Sequence, residues 1–230
     1  MPSLHENEHS FSCSETKVTA GATIPAGAAA LPERQTRILD AAERVFARAG
    51  FHTATMQDVA REAGMSPGNL YRYFASKDAI ITAIAERDRQ LIASDFASLD
   101  PARGKVLDQL EALGRRHLVE EPREKAILCL QIWAEAARDP NMARMCADID
   151  STVLGGLAGA IADAKASGEL RADLDEARFL QATFMMADGL YCRKAVDPTF
   201  DYARAADTLF AATRALAQVL VMPPSAETDR

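Results

Sequence analysis

Apolar residues recur at intervals of three and four along most of this chain, and glycine and proline punctuate the runs. Ile38, Ala41, Ala42, Val45, Phe46 and Ala49 share one face of a helix predicted over 33–49, which stops at Gly50. Met56, Val59, Ala60 and Ala63 then stand at i, i+3, i+4 and i+7, with Gln57, Asp58, Arg61 and Glu62 on the opposite side. Gly64 follows the last periodic residue, where a left-handed backbone ends a helix at little cost, and Met65 can fill the gap between two axes. Ser66 and Pro67 restart the chain as N-cap and first helical residue. Leu70 and Phe74 point into a small core, Gly68 and Arg72 lie on the far side, and Asn69, Tyr71 and Tyr73 flank them. The exposed face thus offers an amide, a guanidinium and phenols without a carboxylate. Two short helices joined by a glycine turn, with a polar face on the second, have the layout of a DNA-reading helix-turn-helix.

The same period continues to the C-terminus. A helix starting at Ser76 carries Ile80, Ile84, Leu91, Ile92 and Phe96 and is broken at Asp100-Pro101. Five more are expected over roughly 104–119, 123–138, 141–167, 173–195 and 201–221, separated by Pro122, Asp139-Pro140, Gly168 and Asp197-Pro198. No run of alternating β-branched residues and no strand-turn-strand signal interrupts them, so the fold is expected to be all-α with about nine helices. The expected organisation is a disordered tail over 1–32, a three-helix DNA-binding domain over 33–78, a helical domain over 79–221 and a short disordered tail over 222–230. The first tail has no charged start and no long apolar stretch, which argues against a signal peptide, and no segment is expected to reach the length of a membrane span.

Composition and charge sharpen this picture. With 230 residues, 48% of them apolar, the chain can bury a real core, and its abundant alanine favours helix. The net charge of −7 is unhelpful for a DNA binder until it is apportioned. Residues 33–78 hold seven Lys or Arg against six Asp or Glu, while the tail and the second block are acidic. Phosphate attraction is local, within a Debye length of about 8 Å at physiological salt, so Arg34, Arg37, Arg72 and Lys77 suffice if they share a surface. Cys13, Cys129, Cys146 and Cys192 are scattered without metal-binding spacing, which predicts free thiols in a cytoplasmic protein, no metal and no cofactor. His117 has no evident nucleophile partner, Asp148 and Asp150 stand as an isolated pair, and no phosphate loop appears, so an enzyme is not expected.

The run from Arg37 to Ile84 resembles the N-terminal DNA-binding domain of the TetR family of bacterial transcriptional regulators. The resemblance is carried by AAERVFARAGF (Ala41 to Phe51), the Thr55 opening, Val59-Ala60, Ala63-Gly64, Ser66, Gly68, Leu70-Tyr71, Tyr73-Phe74 and Ser76-Lys77, with Tyr73 standing where histidine is also common. It implies a DNA-binding domain followed by a ligand-binding and dimerisation domain, and a repressor released from a palindromic operator in double-stranded DNA by a small-molecule effector. Arg72, Asn69 and the backbone of Gly68, next to Pro67, would approach base edges. Thr55, Ser66, Tyr71, Tyr73 and Lys77 would hold phosphates.

The second block is read the same way. Leu128, Ile132 and Trp133, then Met142, Met145, Cys146, Ile149 and Val153, then Phe184, Met185, Ala187, Asp188 and Tyr191 form soft apolar stripes that fit a helical core. The resemblance adds an effector pocket among them, for which Trp133, Met142, Met145, Phe184, Asp188 and Tyr191 are the candidates. It also implies a homodimer formed through the last two helices, with Leu209, Phe210, Thr213, Leu216 and Leu220 as candidate interface residues. Such a dimer would hold two reading heads about 34 to 36 Å apart, one turn of DNA.

Overall fold

The computed structural model describes residues 32–221. Among them are nine α-helices and no strand, only an isolated antiparallel bridge between Leu174 and Val221. The helices are α1 (Glu33–Ala49), α2 (Met56–Glu62), α3 (Pro67–Leu70), α4 (Lys77–Ala97), α5 (Val106–Arg115), α6 (Arg123–Ala136), α7 (Pro140–Ala166), α8 (Glu176–Val196) and α9 (Tyr202–Val219). Both expected tails lie outside the described residues apart from Pro32.

Local chemistry sets the head, α1 to α3 with the start of α4. Thr55 and Asp58 form a reciprocal capping box at the start of α2, each side chain bonding the other's backbone N–H. At the other end of α2, Gly64 takes φ +66° and Met65 N–H bonds back to Ala60 O at 2.9 Å, a left-handed stop that a side chain would strain. Ser66 and Ser76 cap α3 and α4 by accepting from Asn69 and Ala79 N–H. Ile38, Leu39, Ala42, Phe46, Val59, Ala60, Leu70 and Ile80 are completely buried together. Leu128 of α6 and Met142 of α7 join the same cluster, so the head shares its core with the body.

Two differences from the sequence expectation matter for the site. The third helix was expected to run to Phe74 but is regular only to Leu70. Beyond it Arg72 and Tyr73 N–H bond three residues back, to Asn69 and Leu70, so Arg72 sits on a tightened turn. The expected absence of any membrane-length segment is also corrected: α7, at 27 residues, is long and apolar enough by composition. It packs against α4, α5, α6 and α8, burying Met142, Ala160, Ile161 and Ala164, while most of its apolar stretch is only partly covered.

Charged pairs tie the head to the body. Arg87 of α4 bonds Asp40 and Glu43 of α1, each at 2.8 Å, and Lys125 of α6 bonds Glu43 and Asp88. Burial would lower the Lys125 pKa, but Asp88 and Glu43 outweigh it and hold the ammonium above its ordinary value. At the far end of the body, α5 passes into a five-residue π turn (Arg116–Glu120). The buried Lys194 ammonium donates to the carbonyls of Leu118, Val119 and Glu121 and lies over the Tyr202 ring, which ties the end of this turn to α8 and α9.

Candidate nucleic-acid interface and ligand cavity

The structure separates the expected DNA-contacting residues into an exposed set and a structural set. Ser66, Pro67, Gly68, Tyr71 and Arg72 are exposed, and Arg72 forms no ion pair among the described residues. Asn69 is half-buried, and Tyr73 packs partly against the head core. Ser66 Oγ accepts from Asn69 N–H, which leaves its own hydroxyl proton available to an acceptor such as phosphate. Thr55 and Lys77 are tied inward instead. The Thr55 hydroxyl donates to Asp58 at 2.6 Å within the capping box. Lys77 donates to Phe51 O and His52 O at 2.7 and 2.9 Å and lies over the Phe51 ring, strapping the start of α4 to the end of α1. Two of its three N–H bonds are spent there, a role that residue type alone did not reveal.

The other head cations are divided in a similar way. Arg44 and Arg48 both pair with Glu62, and Arg61 pairs with Asp58, so these three guanidiniums are largely neutralised by neighbours. The Glu62 carboxyl is correspondingly held below its ordinary value by hydrogen bonds from Arg44 and Arg48. Arg34 and Arg37 on α1 are exposed and, like Arg72, unpaired among the described residues. The weakly positive head thus leaves its uncompensated guanidiniums at α1 and beside α3.

The body contains an apolar cavity of about 220 Å³. It is walled by Ile92 and Phe96 of α4, Leu110 and Gly114 of α5, His117 of the π turn, Leu157 of α7, Thr183 of α8 and Phe210 of α9. Glycine makes room for its aromatic walls. A Cβ on Gly114 would approach the Phe210 ring to 2.8 Å, and one on Gly156 would overlap the Phe96 ring. The rim is charged: Arg214 pairs with Glu111 at 2.7 Å and Asp108 at 3.0 Å, and Arg115 stacks over the Phe210 ring. Next to Phe96, Asp95 of α4 accepts from Arg116 at 2.7 Å and pairs with His117 Nε2 at 2.8 Å, which joins the end of α4 to the π turn.

None of the six residues expected to line an effector pocket borders this cavity. Met142 is buried in the head core and Met145 packs against it, both also bordering an open polar cleft between α4 and α7. Trp133 packs on Tyr191, with ring centroids 6.5 Å apart, and the Tyr191 hydroxyl donates to His117 O. Burial raises the Tyr191 and Asp188 pKa values, and the Asp150 carboxylate adds to the effect on Asp188. Phe184 is half-buried on the same side of α8. On α8 the difference is one of helical phase: Phe179, Thr183 and Ala187 border the cavity, whereas Phe184, Asp188 and Tyr191 do not. Residue size at Gly114 and Gly156, opposite two phenylalanines, is the sequence signal that would have pointed there.

The expected dimer contacts pack at least in part within their own protomer. Leu209 is buried in the body, Phe210 and Thr213 border the cavity, and Leu216 and Leu220 pack on the core of α5, α7 and α8. Leu209 is the one of the five that is fully buried; the other four are half-buried and keep part of their surface accessible. The exposed apolar positions of α8 and α9 are Ala177, Met185, Gly189, Val196, Ala203, Ala211, Ala215 and Val219, with Met185 60% and Val219 68% exposed. The described cysteines are free thiols, and burial pushes Cys129 up to about 12, so its thiolate is suppressed at neutral pH.

Comparison with known proteins supplies the wider context. Residues 38–84 match the family model of bacterial regulatory proteins of the tetR family, and residues 106–218 match that of the C-terminal domain of BetI-type transcriptional repressors. The HTH-type transcriptional regulator UidR of Escherichia coli is 33% identical over 143 residues, which is 62% of this chain and 72% of that protein. The HTH-type transcriptional repressor Rv1474c of Mycobacterium tuberculosis is 27% identical over 165 residues, 72% of this chain and 84% of that one. Among solved structures, Salmonella enterica GusR superposes with a TM-score of 0.65 at 29% identity, covering 82% of this chain and 98% of its own. The FadR regulator of Bacillus subtilis, solved in complex with stearoyl-CoA, shares the fold with a TM-score of 0.63 at 21% identity, over 81% of this chain and 97% of that one. With a capped helix-turn-helix, an all-helical body and matches to family models at both ends, this chain belongs to the TetR family of helix-turn-helix transcriptional regulators.

Proposed function

We propose that the protein is a homodimeric repressor that holds a palindromic operator in double-stranded DNA and releases it when a small molecule fills the apolar cavity. The observation that carries this reading is that Ile92 and Phe96 belong both to the cavity wall and to α4, the helix that begins in the head at Lys77. A ligand pressing on Phe96 pushes on the same rod whose other end is strapped to Phe51 and His52. Arg87 and Asp88, midway along α4, pass the displacement to α1 and α6 through their ion pairs. The effector then acts by population shift, preferring an arrangement in which the two heads no longer match successive major grooves. That FadR was solved with stearoyl-CoA supports ligand binding by bundles of this fold.

At the DNA, Arg72 and Asn69 read base edges with the backbone of Gly68 close by, and Ser66, Tyr71 and Tyr73 fix register on phosphates. Pairing through the exposed face of α8 and α9 is supported by its run of apolar and small residues, which a solvated helix has little reason to carry. The decisive experiment selects duplexes from a random pool with purified protein and measures binding by fluorescence anisotropy at moderate ionic strength. Enrichment of an inverted repeat bound by two chains is expected; recovery of no preferred duplex by folded protein would remove the reading.

A further inference from the structure

The head is fixed to the body along α6, none of whose residues borders the cavity. Lys125, near the start of α6, bonds Glu43 of α1 and Asp88 of α4. Leu128 is buried in the head core, and Ile132 and Ala136 pack against the same cluster. Gln131 Oε1 accepts from Phe51 N–H at 3.1 Å, and Glu135 Oε1 lies 2.8 Å from His52 Nε2. From Lys125 to Glu135 the helix rises by about 15 Å, at about 1.5 Å per residue. A single tie would act as a pivot, whereas ties spread along such a seam also resist tilting of α1 against α6. The opposite side of α6 is held by α8. Arg123 donates to Lys194 O and Ala195 O at 3.0 and 2.6 Å, and Trp133 packs on Tyr191. On its outer side α8 carries Met185, Gly189 and Val196, part of the face proposed for pairing. A continuous path of contacts therefore runs from that face through α8 and α6 to α1 without touching the cavity.

We propose that this face of α6 sets the separation at which the paired heads meet DNA, so that Lys125, Gln131 and the His52–Glu135 pair are positioning residues that select the spacing of operator half-sites; the assignment rests on the reading of a homodimer on an inverted repeat. One added base pair carries the second half-site about 3.4 Å along the duplex and about 34° around it, at about 10.5 base pairs per turn. Heads held along the seam follow that change only by breaking a tie, whereas heads attached through α4 alone would follow it freely.

The test uses the full-length protein and the inverted repeat it selects, with the spacer as selected or changed by one or two base pairs, beside a duplex carrying a single half-site. Binding is read by fluorescence anisotropy. The parent protein is expected to favour the selected spacer by roughly 5- to 150-fold, the usual range of coupling between sites. Lys125→Met, and separately His52→Ala combined with Gln131→Leu, are expected to lose most of that preference. Both are expected to bind the single half-site as the parent does and to keep their sensitivity to Arg72→Ala. The first variant breaks the buried charge network. The second acts at the other end of the seam, where the His52 side chain is 71% exposed and its removal leaves Glu135 paired with Arg138, so misfolding of one leaves the other decisive. An unchanged spacer preference in either folded variant, equal binding of all spacers by the parent, or an equal loss on the single half-site would overturn the assignment. Recovery of no inverted repeat by folded parent protein would remove the dimeric reading and this assignment with it.

Discussion

The head and the body of this protein use phenylalanine and glycine in opposite ways. In the head, Phe46 meets Phe51 edge to face at 5.4 Å inside a cluster with no room to spare, and Gly64 serves only to stop a helix. In the body, Phe96 and Phe210 lean into places that Gly156 and Gly114 leave open, and their other faces border a void. A reader of DNA needs side chains held at fixed positions, whereas a sensor needs walls that a guest can move. The contrast teaches that, in the proposed mechanism, a displacement of α4 reaches a closed core that also takes in Leu128 and Met142 of the body.

The largest test of that contrast is paired truncation. Phe46→Ala should cost about 3–5 kcal/mol in chemical denaturation and abolish operator binding, as expected for a closed core. Phe96→Ala should cost clearly less, because its ring already borders a void, and should alter ligand release more than stability; equal losses would erase the distinction. Lys194→Met comes next. It strips three carbonyls at the end of the π turn of their donor and should destabilise the body by roughly 2–3 kcal/mol, with Lys194→Arg partly restoring it. A melting temperature equal to that of the parent protein would show those carbonyls to be satisfied by water.

At the DNA surface, Arg72→Ala should cost about 1–3 kcal/mol on the preferred operator with the melting temperature unchanged. Equal loss on all duplexes would reassign Arg72 to the backbone. Thr55→Ala should do the reverse, lowering stability by about 1 kcal/mol through loss of the cap. The smallest effect concerns pH, where two pairs of carboxyls have opposite signs. Asp58 and Glu62 in the head have folded pKa values below their unfolded ones, through Thr55 and through Arg44 and Arg48, so their contribution is intact above about pH 4 and lost as pH falls through the folded values. Asp150 and Asp188 in the body are raised by burial, so these two groups cost stability as pH rises through their folded values, while body carboxyls such as Glu111 and Glu135 behave as the head pair does. Asp188→Asn should therefore stabilise the protein modestly at pH 7 and hardly at all at pH 4, as denaturant titrations at the two values would reveal.

Much of the head was legible residue by residue. The bounds of α1, the Ser66 cap and the Gly64 stop were all expected, because each rests on interactions within a few residues of the chain, whereas the Thr55–Asp58 capping box was not. The candidate DNA face was legible in type but not in availability. Whether Lys77 reaches outward or bonds Phe51 O depends on a carbonyl 26 positions away. In the body, α8 and α9 have apolar residues on more than one side, so their period predicts a helix without saying which stripe faces inward. Phe184, Asp188 and Tyr191 make as good a stripe as Phe179, Thr183 and Ala187, and on α9 Ala206, Leu209 and Ala217 are buried within the protomer while Ala211, Ala215 and Val219 face out.

The amino-acid order by itself determined the all-helical class, most helix boundaries and the polar face beside Gly68, since capping, glycine stops and a 3.6-residue period are short-range effects. Only the tertiary structure decided where the cavity lies, that Thr183 is left without a partner and that Lys194 spans from α8 to the π turn. Those outcomes depend on how several helices share one volume, and no single helix carries that information in its own sequence.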